Sequence, residues 1–129
     1  MSVFHVDVVA RNPRGEERVT APVRCLVDTG SELTWLPAEV LSGIGVDVRR
    51  KRSFLTATGH TVSRDVGFAI LCSEGYETID EVVFAQPGDM TLLGVRTVEG
   101  FGVMVDAIGH RFVSQATLAV SAFPHRPTR

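Results

Sequence analysis

The chain has 129 residues, 44% of them hydrophobic, and a formal net charge of -2. That length makes one domain with a core of its own and is too short for an enzyme that needs two lobes in one chain. The near-balanced charge excludes a general basic field for nucleic acid and an acidic tail; one local run, Arg49-Arg50-Lys51-Arg52, reads as a solvated loop or as protection of an edge strand.

In chain order, residues 3–10 and 18–27 are β-like runs separated by Asn12-Pro13-Arg14-Gly15, whose Pro and Gly favour a turn, so the spacing predicts a hairpin. Residues 33–36 form a further short run that Pro37 ends. Residues 54–57 and 61–70 flank Thr58-Gly59-His60, a second predicted hairpin with glycine at its tip. Residues 76–85 read as a strand closed by Gln86-Pro87-Gly88-Asp89. Helix-compatible stretches are confined to residues 38–41 and 95–100. Residues 103–106 read as an apolar strand, and residues 111–123 alternate in a way that suits one or two more. The expected class is all-β, with the ordered domain spanning 1–123 and residues 124–129 as a frayed tail.

The segment Leu26-Val27-Asp28-Thr29-Gly30-Ser31 places an acidic residue at the end of an apolar run. A carboxylate beside Leu26 and Val27 is costly to bury unless it is hydrogen-bonded or shares its proton, so it stands there for chemistry or as a turn cap. Asp-Thr-Gly is also a common turn, because Asp bonds its own downstream backbone and Gly supplies positive φ. What accompanies the tripeptide decides between these readings. Far downstream, Thr91-Leu92-Leu93-Gly94 precedes a short helix-like stretch and the strand Val103-Met104-Val105-Asp106.

In this ordered pair the chain resembles the retroviral-type, retropepsin-like aspartic protease family. Four stretches match in order, over most of residues 3–113: the first hairpin, residues 26–31, the hairpin around Gly59, and Leu92-Leu93-Gly94. The resemblance implies a single-domain, closed barrel-like acid-protease fold with one short helix, active as a two-fold homodimer. It implies Asp28 as the catalytic group, with Thr29, Gly30 and Ser31 completing the active-site loop. Thr29 would reach across the dimer axis, Gly30 would bring its N–H toward the carboxylate, and a Ser31 hydroxyl bonded to that carboxylate would favour its ionised form. The hairpin tip Thr58, Gly59 and His60 corresponds to the family's flap, with Leu92 and Leu93 as cleft wall and Gly94 allowing close backbone approach.

One carboxylate per chain sets the mechanism. Peptide hydrolysis needs one group to deprotonate water and another to protonate the carbonyl oxygen or the leaving amine. Two Asp28 side chains meeting across a two-fold axis satisfy both needs, because like charges in contact cannot both ionise and one proton is shared. The expected function is an aspartic endopeptidase acting on an extended polypeptide. The alternative is a non-catalytic, dimeric peptide-binding module of the same fold. The terminal runs 3–10 and 111–123 are the expected pairing edges of the dimer.

Other chemistries find little support in the residues. His5, His60, His110 and His125 are scattered without paired metal spacing, and Cys25 and Cys72 read as two buried, reduced thiols. There is no Gly-x-Ser-x-Gly elbow, and Gly43-Ile44-Gly45 and Gly100-Phe101-Gly102 are turns. Asp-x-Gly-Ser also occurs in actin-like phosphate loops, which need two large lobes that this length excludes. No metal, cofactor, nucleic acid or membrane is expected as a partner. The N-terminal residues show no secretory pattern and no run long enough to span a bilayer, so a cytoplasmic protein is expected.

Overall fold

The computed structural model describes residues 3–116. Strands β1 (His5–Asn12) and β2 (Gly15–Val19) form the first hairpin, antiparallel with Asn12 opposite Gly15. The predicted run 18–27 is two strands, not one. Pro22 has no N–H to give to a ladder, so the chain leaves the sheet at residues 20–22 and re-enters as β3 (Val23–Val27). Thr20 bridges the gap: its N–H donates to the Ala10 carbonyl and its hydroxyl accepts from the Ala10 N–H.

The remaining elements are β4 (Thr34–Pro37), α1 (Ala38–Gly43), β5 (Arg50–Leu55), β6 (Thr61–Ser73), β7 (Tyr76–Ala85), β8 (Leu92–Leu93), α2 (Val95–Phe101), β9 (Val103–Asp106) and β10 (Arg111–Ser114). Both helix-compatible stretches form, so the structure has two short helices where one was expected. The second hairpin starts earlier than predicted, at Arg50, and its first strand stops at Leu55. Of the run 111–123 the structure shows β10 over 111–114; the rest of it from residue 117, and the tail 124–129, lie outside the described residues.

Eight strands form one mixed sheet in the order β2-β1-β3-β8-β4-β7-β6-β5, and β1 also pairs with β6. Two neighbouring pairs are parallel, β3 with β8 and β4 with β7. Strands β9 and β10 make a separate antiparallel ribbon. Strand β1 pairs with β3 over residues 5–8 and with β6 over residues 9–11, where β2 also joins it, so its second half lies inside the sheet. Strand β10 keeps an unpaired side among the described residues, and the ribbon that carries it exposes Met104 and Val113, which face each other across it.

The main core gathers Val8, Cys25, Leu36, Leu41, Leu71, Val82 and Leu93, all fully buried, with Phe101 and Phe112 at its margin. Each such aliphatic side chain contributes about 1.5–3 kcal/mol by leaving water. A smaller cluster of Leu33, Val66 and Val83, flanked by Trp35 and Phe54, lies beneath the second hairpin.

Candidate active site

Parallel β3 and β8 lie side by side in the register Leu26–Leu92 and Val27–Leu93, so the chain leaves both strands at the same end. Asp28 and Gly94 come out next to each other, and the Asp28 N–H donates to the Leu93 carbonyl at 3.0 Å. Beyond Asp28 the chain turns back: the Ser31 N–H donates to the Asp28 carbonyl at 3.1 Å, and the Gly30 N–H donates to Asp28 Oδ1 at 2.9 Å. A Cβ on residue 30 would stand 3.2 Å from that carboxylate oxygen, so glycine fits the turn closely around the acid. Asp28 is half-buried in the single chain, with Thr29 and Gly30 exposed beside it.

The role expected of Ser31 is not what the structure shows. Its hydroxyl donates to the Leu33 carbonyl at 2.8 Å, two residues along its own turn, and so braces the loop. The hydrogen bond on the carboxylate comes from the Gly30 backbone instead.

Gly94 is where the two segments of the site press together. The N–H groups of Val95 and Arg96 donate to the Ser31 and Glu32 carbonyls at 2.8 and 3.1 Å, which brings the first turn of α2 onto the loop that follows Asp28. A Cβ at residue 94 would lie 2.4 Å from the Leu33 carbonyl oxygen, so only glycine admits this approach. The Gly94 N–H donates to Thr34 Oγ1 at 2.9 Å; Thr34 Oγ1 lies 2.6 Å from Thr97 Oγ1, and the Thr97 hydroxyl donates to Asp80 Oδ2 at 3.0 Å. With the Thr97 proton committed to Asp80, the Thr34 hydroxyl donates to Thr97. Thr34 and Thr97 are fully buried and Asp80 nearly so, making a satisfied polar relay behind the loop.

Sequence reasoning did not single out Thr34, Thr97, Asp80 or the adjacent Glu81. Glu81 is nearly buried and receives Arg50 through two hydrogen bonds, of 3.0 and 3.2 Å, and Arg52 through one of 3.1 Å. The basic run thus divides by strand alternation. Lys51 is exposed on Asp65, as edge protection requires, whereas Arg50 and Arg52 turn toward a buried carboxylate. A signal was available: Asp80-Glu81 stands directly before the apolar stretch of β7, where unpartnered carboxylates would be costly.

A cleft of about 740 Å³ opens over Asp28, walled by Trp35, Phe54, Leu55, Met90 and Leu92. Trp35 and Phe54 meet with ring centroids 5.1 Å apart. The hairpin β5–β6 forms one side of this cleft through Phe54, Leu55, Thr56 and Ala57. Its tip is a compact loop in which the Thr56 N–H donates to the His60 carbonyl at 2.7 Å and Gly59 takes a φ of 86°. Thr58, Gly59 and His60 are exposed at that tip, one step beyond the residues that line the cleft. Of the two leucines expected in the wall, Leu92 lines the cleft, and Leu93 is fully buried beneath it.

The chain is similar to a retropepsin-like aspartic protease. One solved structure that it matches is that of the protein from Rickettsia conorii, with 21% identity and a TM-score of 0.46 over 81% of this chain and 84% of the other. No protein-family model matches the sequence, and no curated protein does.

Elsewhere, both cysteines are free, but only Cys25 is buried; Cys72 is partly exposed, which corrects the expectation of two buried thiols. Burial, with Asp7 nearby, pushes the Cys25 thiol up to about 12, so it is no nucleophile at neutral pH. Among the described residues no group of three or more His, Cys, Asp or Glu side chains is arranged to hold a metal ion, and no helix is long and apolar enough to cross a membrane.

Proposed function

We propose that this chain is an aspartic endopeptidase whose active unit is a two-fold homodimer with one Asp28 from each protomer in a shared site. The observation that carries the reading is the Asp28 turn: a carboxylate held by a backbone N–H at the floor of an apolar cleft, with a β-hairpin for one wall. The β1–β6 pairing supports the closed-barrel form of the fold. Thr29 is exposed beside Asp28, which leaves its hydroxyl open to a second copy. The free side of β10, on a ribbon with exposed apolar residues, is the edge on which a second copy could build.

In the dimer one Asp28 is ionised and takes a proton from water as the water oxygen bonds to the scissile carbonyl carbon. The other, protonated Asp28 gives its proton to the carbonyl oxygen, yielding a tetrahedral diol. Collapse of the diol breaks the C–N bond. One diol proton passes to a carboxylate and a carboxyl proton passes to the leaving amine, so the pair again holds one proton. A strand-like substrate fits a cleft whose wall is itself a hairpin.

Asp28→Asn tests this directly. The amide keeps the shape and can accept the Gly30 N–H, but it cannot share an acidic proton. Incubation with a denatured protein mixture followed by peptide mapping is expected to show cleavage by the wild type and none by the variant, both folded. Equal cleavage by the variant would end the aspartic-protease reading; peptide binding by the wild type without cleavage would favour the non-catalytic module.

A further inference from the structure

Arg52 on β5 and Arg64 on β6 are register partners, so their side chains leave the same face of the hairpin. Two like charges set opposite each other destabilise a strand pair unless each is compensated, and here each has its own carboxylate. Arg52 Nη1 donates to Glu81 Oε1 at 3.1 Å, its Nη2 lies 3.7 Å from Glu32 Oε1, and its guanidinium lies over the Phe54 ring at 5.6 Å. Arg64 grips Asp89 with both arms, Nε to Oδ2 at 2.7 Å and Nη2 to Oδ1 at 2.8 Å. Glu32 belongs to the turn that follows Asp28, and Asp89 to the loop between β7 and β8 that lines the same cleft. The hairpin is thus tied on its β5 side to the active-site turn and on its β6 side to the opposite loop.

We propose that Arg52 and Arg64 form a clamp at the base of the hairpin and act as positioning residues that set where its distal part stands over Asp28. Just past the clamp Phe54 packs on Trp35, and beyond Phe54 the hairpin has few fixed points: Leu55 is 76% exposed, and the tip loop is bonded chiefly to itself. The placement of residues 55–57 over the cleft therefore depends on what holds the root of the hairpin, the two ion pairs beside the Phe54 contact. Only the kinetic consequence rests on the peptidase reading; the clamp itself is a property of the uncomplexed protein.

Amide hydrogen exchange on the full chain separates the two. In Arg52→Gln and Arg64→Gln, amides of residues 53–62 are expected to exchange roughly tenfold faster or more, while those of β3 and β7 keep their wild-type rates. Arg52→Lys and Arg64→Lys keep the charge but not the fork, and are expected to recover part of that protection. With a cleaved peptide, the Gln variants should raise KM several-fold and leave kcat within about twofold, since the carboxylates are untouched. Unchanged exchange in 53–62, or exchange that rises equally in β3 and β7, would overturn the clamp; should a Gln variant fail to fold, the Lys variants are held to the same comparison. If the wild type cleaves no peptide, the exchange result still decides the clamp, and the protease reading fails separately.

Discussion

At the scale of single residues, the site depends on one missing methyl group and one hydroxyl. Gly94→Ala would drive a Cβ into the Leu33 carbonyl, a backbone group that cannot swing aside, at a cost of about 1–3 kcal/mol. The displaced segment is the same turn that carries Ser31 and Asp28, so denaturant unfolding should show the loss together with lower activity. A wild-type midpoint would mean that the turn yields freely. Thr34→Val preserves shape but leaves the buried Gly94 N–H without its acceptor, and is expected to destabilise by about 1–3 kcal/mol. If the valine variant matched wild type, the relay to Asp80 would carry no structural weight.

At the scale of elements, the ion pair between β6 and the β7–β8 loop makes a pH prediction. The Arg64 guanidinium, with the Gln86 N–H, holds the Asp89 carboxyl below the usual aspartate range. A depressed folded-state value means that the pair's contribution is complete above the ordinary, unfolded range, shrinks as pH falls below it, and is lost as pH passes the folded value. The melting-temperature gap between wild type and Asp89→Asn should accordingly be constant near neutrality and narrow on acidification. A gap that stays flat through the acid range, or widens, would contradict the assignment.

The elements also show what could be read in advance. Asp28 and Gly94 were legible because each is announced locally, by an apolar run that ends in a turn residue. β7 was legible at both ends because its alternation and its Gln-Pro-Gly-Asp terminator are contiguous. The break at Pro22 could have been anticipated from the missing donor, but the apolar residues on either side masked it. The relay of Thr34, Thr97 and Asp80 joins groups separated by 63 and 17 positions, so no local pattern reveals it. The roles of Arg50 and Arg52 were hidden for a related reason: an edge strand invites basic residues on its own account, and what turns two of them inward is Glu81, about 30 residues away. The partner of the Ser31 hydroxyl is not legible in the sequence, because it is the Leu33 carbonyl that the fold of the turn itself brings to it.

At the scale of the whole molecule, a shared Asp28 site requires two copies of the chain. Each offers one Asp-Thr-Gly turn, and the other carboxylates that line the cleft face arginines: Asp89 is gripped by Arg64, and Glu32 lies 3.7 Å from Arg52. A lone protomer holds half a dyad and should be inert, so specific activity should fall as the protein is diluted through its dissociation constant. The most direct measurement mixes wild type with increasing excess of folded Asp28→Asn chains, at fixed wild-type concentration and after time for subunit exchange, and follows the rate of peptide cleavage. If the dyad is shared, mixed dimers are inactive, and the rate per wild-type chain falls in proportion to the wild-type fraction. A rate per wild-type chain that stays constant while sedimentation shows mixed dimers would contradict the shared Asp28 site.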